Sequence, residues 1–214
     1  ANNFTTIPND PNQYYYNLRM GFDEETKLVS QMEFVDPPKM FNENYIYNSS
    51  HSPFLVNHFR NIAQRLQKEY QSEKVLEIGT NSLPFLKHFS IKTSIGVEPC
   101  KNFAEYGRKE GYNIYNRFWN LDLAKTIVEE NGKIDLVYAA NCLCHIPDII
   151  RAFQAIDYIL KDGGVLVFED PSFTDILKNN SWDQFYDEHT HIFSVSALSN
   201  IIWKNTGLDI FKVE

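Results

Sequence analysis

At 214 residues the chain is long enough for one well-packed domain with an appendage. Its net charge of −8 argues against a general nucleic-acid binder, because phosphate contacts need clustered Lys and Arg, and short basic groups such as Lys101 and Lys109 read as a solvated face. No apolar run reaches membrane-span length and no signal peptide opens the chain, while an odd set of cysteines (Cys100, Cys142, Cys144) fits reduced thiols in a cytoplasm better than a disulfide framework.

Residues 1–50 are rich in Asn, Tyr and Pro with weak periodicity, and read as an irregular arm. Within them LRMGFDEETKLVSQMEF predicts a hairpin whose turn is Asp23-Glu24-Glu25-Thr26. Ser52-Pro53 opens a helix in which Phe54, Leu55, His58, Phe59, Ile62 and Leu66 recur at helical spacing. From residue 74 strands and helices alternate. KVLEIG is a buried strand, SLPFLKHF a short helix, TSIGVEP a strand, and CKNFAEYGRKEG a helix closed by Gly111. Next come the strand NIYNRFW, the helix LAKTIVEENG, the strand KIDLVYAAN, a helix over 146–164 and the strand GVLVFEDP. SVSALSNIIWKNTG forms a helix capped by Ser194 or Ser196, and LDIFKVE a final strand. This alternation predicts an α/β domain over 51–214, with a mostly parallel sheet, helices on both faces, and ligands bound beyond the strands' carboxyl ends. A sheet ending on a bare edge strand is a pairing liability, so the expectation is a domain shortened at its C-terminus.

Two strand ends carry a cofactor signature. In VLEIGTNSL, Gly79 lets the backbone turn tightly and approach a ligand, and Asn81 tolerates a left-handed backbone where a second glycine could stand. About twenty residues later IGVEP ends a strand on Glu98, whose carboxylate can accept both hydroxyls of a ribose, with Pro99 next to it. The motif is not GxGxxG and no Walker lysine follows. Gly79 and Glu98 are either an adenosine site or plain turns. In the first case the absent pyrophosphate glycines favour S-adenosylmethionine over NAD.

The run Tyr186-Asp187-Glu188-His189 places a phenol, carboxylates and an imidazole within four residues. A neutral histidine near an acidic neighbour is a ready proton acceptor, and a phenol or second imidazole can stabilise an oxyanion. Carbon methylation needs that pairing, because a proton alpha to a ketone must leave before the carbon bonds to a methyl group. Glu188 would orient His189 or hold a substrate hydroxyl (a sugar's, by the resemblance described below), and Tyr186 would bind substrate or enolate. His145, in LCHIPD after the fourth strand, is a second acid–base candidate or a helix cap, and His191 competes with His189 if the segment is extended. Cys142, Cys144 and His145 offer too few ligands for a metal site without paired CxxC motifs.

VLEIGTNSL, GVEPCKNFAEYGRKEGYNI, DLVYAANCLCHIPDIIRAF, LKDGGVLVFEDPSF and FYDEHTHIFSVSALSNIIWKNTGLDIFKVE together resemble the sugar C-methyltransferases, which act on deoxy-sugar nucleotides. PPKMFNENYIYNSSHS resembles the segment that joins that family's N-terminal module to its core, so the likeness runs over roughly residues 35–214. The resemblance implies a Rossmann-like class I S-adenosylmethionine methyltransferase with His189 as base and a functional His145. By the same resemblance Glu77, Gly79 and Asn81 line the methionine end of the cofactor and Glu98 holds the ribose. Phe118 and Trp119 meet adenine or pack the core, Asn141 faces the sulfonium or caps a strand, and Tyr45 and Tyr47 reach the substrate or pack.

The chain also departs from that pattern. Residues 1–50 hold no cysteine, so the family's zinc module is expected as a remnant, and its C-terminal domain has no counterpart. Ser82 and Leu83 stand where Asp-Gly is usual. The expected activity is C-methylation of a keto-sugar, nucleotide-linked in the family's manner, or of another small ketone or acid. The competing readings are O- or N-methylation of a small polar metabolite, a non-catalytic or partner-dependent domain, and, least favoured, a nicotinamide oxidoreductase. Nothing in the sequence specifies an oligomeric state.

Overall fold

In a computed structural model, which describes residues 15–214 together with Pro8 and Pro11, the alternating pattern from residue 74 becomes a five-stranded, all-parallel sheet. In chain order the elements are β1 (Met20–Phe22), β2 (Val29–Gln31), α1 (Pro37–Met40), α2 (Pro53–Tyr70), β3 (Val75–Ile78), β4 (Ser94–Val97), α3 (Lys101–Lys109) and β5 (Asn113–Tyr115). They continue as α4 (Leu121–Asn131), β6 (Ile134–Ala140), α5 (Ile149–Ile159), β7 (Leu160–Glu169), α6 (Phe173–Asn179), β8 (His191–Ile192) and α7 (Val195–Asn205). The strand order β5-β4-β3-β6-β7 reverses direction at β3.

Helices cover both faces, as the near-continuous apolar strands demand. On one face Leu76, Ile78, Val137 and Ala139 pack with Leu123, Phe153, Ile156 and Ile201 of α4, α5 and α7. On the other, Val75, Leu136 and Tyr138 pack with Phe59, Ala63 and Leu66 of α2 and Ala104 of α3. Positions 59, 63 and 66 form one stripe of α2, and burying a large apolar side chain such as Leu66 stabilises by about 1.5–3 kcal/mol. The caps follow the sequence. Ser52 accepts from Leu55 N at 3.3 Å with Pro53 in the first turn, and Ser194, not Ser196, caps α7 by accepting from Ala197 N at 3.1 Å.

The hairpin forms where expected, and Asp23 Oδ1 accepts from Thr26 N at 2.6 Å to close its turn. The sequence did not disclose its partner. β2 pairs antiparallel with β8, Val29 opposite Ile192 and Ser30 opposite His191, so the arm supplies two strands of a second sheet. Residues 1–7, 9–10 and 12–14 of the expected arm lie outside the described residues.

Four expectations are corrected. LDIFKVE is not a strand, since residues 208–214 have no regular structure and the sheet ends at β7. SLPFLKHF contains only one short 3-10 turn, at Leu86–His88, because Pro84 follows a left-handed Leu83 (φ 62°) and prevents helix nucleation upstream. The helix expected over 146–164 is shorter, and its last turn and the Gly163-Gly164 bend belong to β7. β5 stops at Tyr115, short of the expected Trp119. Among the described residues no helix is long and apolar enough to cross a membrane.

Gly96 of β4 lies between Glu77 and Ile114 on the neighbouring strands. A Cβ there would meet Ile114 Cδ1 at 2.4 Å and Thr80 Cγ2 at 2.6 Å. Gly96→Ala should therefore cost about 1–3 kcal/mol through overpacking. Urea unfolding followed by circular dichroism checks this, and an unchanged midpoint would show that the two side chains yield freely.

Candidate functional site

Parallel strands release their loops at the carboxyl edge, and the reversal at β3 holds the β3 and β6 loops apart. These loops, the 36–49 segment and the 184–189 loop enclose a cavity of about 900 Å³. Of the residues nominated from the sequence, Tyr45, Tyr47, Glu77, Gly79, Asn81, Glu98, Pro99, Phe118, Trp119, Asn141, His145, Tyr186, Glu188 and His189 line it, and His191 does not.

One half is built on β3, β4 and β5. Gly79 turns at φ 78°, and a Cβ there would sit 3.0 Å from Cys142 Cβ, so the β3 and β6 loops approach only because the side chain is missing. Asn81 adopts φ 43°, as the sequence suggested. Its side chain faces the arm. Oδ1 accepts from Ser49 N at 3.0 Å, and Nδ2 donates to Tyr47 O at 2.9 Å, which fastens the Tyr45–Ser50 segment over the turn. Glu98 accepts from Asn81 N at 2.7 Å on one oxygen and from Cys100 N at 2.8 Å on the other. Glu77 accepts from Leu86 N at 3.0 Å. Burial pushes both carboxyls above their ordinary range, and neither has an ion-pair partner among the described residues. Each keeps unused lone pairs, so this wall suits hydroxyl donors and a cationic ligand. These features fit an adenosyl sulfonium. Trp119 is largely a core residue, its Nε1 donating to Ala152 O at 3.1 Å, and it lines the cavity together with Phe118. Asn141, left-handed at φ 48°, closes β6 by donating its N–H to Glu169 O at 2.6 Å.

The other half is polar and desolvated. His189 Nδ1 lies 2.8 Å from Gln184 O, and a carbonyl only accepts, so Nδ1 carries the proton. The lone pair on Nε2 then receives the Tyr186 hydroxyl at 3.0 Å. Burial lowers the His189 pKa and raises that of Tyr186, which keeps the imidazole neutral and the phenol protonated. His145, in the short turn after β6, stacks edge-on to His189 with ring centroids 5.3 Å apart. Its Nε2 is buried without a hydrogen-bond partner, and desolvation pushes its pKa down to about 3. Glu188 is buried and accepts the Tyr45 hydroxyl at 3.2 Å, so the ring of His189 is oriented by Gln184 and Tyr186 while Glu188 faces the arm. His191 is fully occupied elsewhere, between Ser30 Oγ at 2.8 Å and Pro147 O at 3.1 Å, and ties the small sheet to the loop before α5.

Cys144, His145 and His189 place ligand atoms within 4.8 Å of one another. The thiol is held protonated by burial and by Asp170, itself raised to about 7 by burial, and both nitrogens of His189 are engaged. Sequence reasoning missed Phe41, whose ring lies 5.3 Å from both Tyr45 and His145, and the Gln184 carbonyl. The PPKMF stretch was a signal for the first. A backbone carbonyl leaves none.

A methyltransferase-domain family model matches residues 55–213. C-methyltransferase NovU of Streptomyces niveus is 25% identical over 191 residues, 87% of this chain and 45% of that protein, so the chain spans about half the length of this curated relative. A solved methyltransferase from Thermotoga maritima, described as S-adenosylmethionine-dependent and a possible histamine N-methyltransferase, is 23% identical with a TM-score of 0.50 over 71% of this chain and 72% of that one. The plantazolicin methyltransferase BpumL, solved with a desmethylPZN analogue and SAH, is 13% identical with a TM-score of 0.55 over 71% of this chain and 63% of its own. The structural likenesses establish the α/β, Rossmann-like fold. The family match covers most of the chain, which therefore belongs to the methyltransferase-domain family and takes S-adenosylmethionine as its cofactor.

Proposed function

We propose that this chain catalyses C-methylation alpha to a ketone, on a sugar or similarly polar small acceptor, with His189 as the base. The observation that carries the reading is the fixed, neutral His189, its Nε2 covered only by the Tyr186 phenol at the cavity wall. Its likeness to a C-methyltransferase supports carbon as the accepting atom. The Tyr45 hydroxyl, Glu188 and Tyr47 supply a polar wall suited to hydroxyls. A nucleotide attached to the sugar belongs to the same proposal and rests on the motif resemblance alone.

S-adenosylmethionine, when bound, supplies an electrophilic methyl carbon. Glu98 would hold the ribose hydroxyls, Glu77 and the Gly79–Asn81 turn the methionine end, Phe118 and Trp119 the adenine, and Asn141 the sulfonium side. On the acceptor side, the Tyr186 hydroxyl turns from Nε2 to the ketone oxygen. Nε2 then takes the alpha proton, and the C–H electron pair stays on the carbon as an enolate. The phenol, held protonated by its raised pKa, donates to the enolate oxygen. His145 is neutral, and its unpartnered Nε2 is a second contact for acceptor oxygens.

His189→Ala should leave S-adenosylmethionine affinity within about threefold and lower turnover by about 10²–10⁴, the range of a lost general base. With a panel of keto-sugar nucleotides and free keto-sugars, the decisive measurement is solvent deuterium entering the acceptor carbon. Exchange that needs His189 supports the enolate. Methylated product without exchange would mean a heteroatom acceptor. Tyr186→Phe should keep exchange but slow it about 10²–10³-fold, the loss of one oxyanion donor.

Glu98→Gln should weaken S-adenosylmethionine binding by about tenfold or more in calorimetry, since an interaction difference of about 1.4 kcal/mol is tenfold in affinity. Unchanged affinity would remove Glu98 from the ribose contact.

The pH dependence has a definite sign. Burial lowers the His189 pKa, so its basic form persists below the ordinary imidazole value of about 6.5. A plot of log kcat/KM should stay flat on cooling the pH from 8 through about 6.5 and turn down only at more acid values. An acid limb at or above the ordinary value would contradict the assignment.

A further inference from the structure

We propose that Gln31, at the end of the arm strand β2 and outside the cavity lining, is the positioning residue that sets the His189 base. This rests on the reading of His189 given above. The loop from Gln184 to Thr190 has little regular structure, so its shape must come from elsewhere. Gln31 is 4% exposed, and its Nε2 lies 2.8 Å from Tyr186 O, 3.1 Å from Asp187 O and 2.9 Å from His189 O. Its backbone N–H donates to Thr190 O at 2.8 Å. An amide nitrogen has two hydrogens, so three carbonyls share them and must converge on one point. That convergence curls the loop, which brings the Tyr186 and His189 rings to a centroid distance of 4.2 Å at a tilt of 47° and points Nδ1 of His189 at the Gln184 carbonyl.

Gln31 Oε1 is buried without a hydrogen-bond partner. Buried amides rarely leave an oxygen unsatisfied, and here the amide faces the loop although its other end gains nothing. The orientation is fixed by chemistry, because only the nitrogen can donate to carbonyls. The pairing of β2 with β8 anchors the amide, with Ser30 opposite His191 one residue away. The N-terminal hairpin is thus a template for the base-bearing loop.

The test is 15N-histidine NMR on the full chain, with calorimetry of S-adenosylmethionine as control. Gln31→Met keeps length and bulk but has no donor. The wild type should show His189 as a single Nδ1–H tautomer titrating below the ordinary imidazole value. In Gln31→Met the tautomer signature should become mixed and the titration should move up toward the ordinary value, while S-adenosylmethionine affinity stays within about twofold. Unchanged His189 signals in the folded variant would overturn the proposal. Gln31→Glu is the second variant: its ionised oxygens face three carbonyls, so the same change should deepen as pH rises. Unfolding of both variants would make Gln31 a requirement of the fold and also overturn a positioning role. Failure of the base reading is separable, since it appears as deuterium exchange that survives His189→Ala, whatever the imidazole signals of the Gln31 variants do.

Discussion

The reversal of strand order at β3 governs where chemistry can occur in this molecule, because β4 and β6 leave the central strand in opposite directions. The loops that follow cannot close over one another, and a crevice remains beyond the strand ends. Gly79 narrows that crevice by letting the β3 turn come against Cys142, and the left-handed turns at Asn81 and Asn141 aim the backbone around its mouth. The wall that holds Glu77 and Glu98 and the wall that holds His145, Tyr186 and His189 are two sides of one opening, built from segments distant in the chain.

Desolvation sets the protonation states in the opening. Removing water raises the carboxyls of Glu77 and Glu98, lowers the imidazoles of His145 and His189, and raises the phenols of Tyr45 and Tyr186. Each shift follows the same rule, that a charge is worse tolerated away from water. The outcome is one wall of carboxyls receptive to a cation and an opposite wall of neutral bases and protonated donors. A fold that admitted bulk water would lose both properties together.

The arm is bound into this arrangement at two places. Asn81 fastens the segment around Tyr47 and Ser49 to the β3 turn, and the Tyr45 hydroxyl reaches Glu188. The hairpin joins β8 and holds the loop before it through Gln31 and Ser30. The β3 turn, the arm and the loop that carries His189 are therefore linked through hydrogen bonds, and a displacement of the arm would be felt on both walls of the cavity.

Much of the fold was legible in the sequence. Short, near-continuous apolar runs specified β3, β4 and β6, an amphipathic stripe specified α2, and Ser52 and Ser194 marked helix starts, because burial patterns and caps are local properties. The cavity residues were legible too, since Gly79, Asn81 and Glu98 follow strand ends and His145, Tyr186, Glu188 and His189 follow recognisable motifs. The strand expected at LDIFKVE failed because a period-2 run needs a neighbour to bond with, and none is placed there. Only the tertiary structure decided that Glu188 meets Tyr45, that His191 serves the small sheet and that Gln31 cradles the His189 loop. Those contacts join residues 143, 161 and 158 positions apart, two between side chains and one to a backbone carbonyl, and a local pattern in either segment holds no record of a partner that far along the chain.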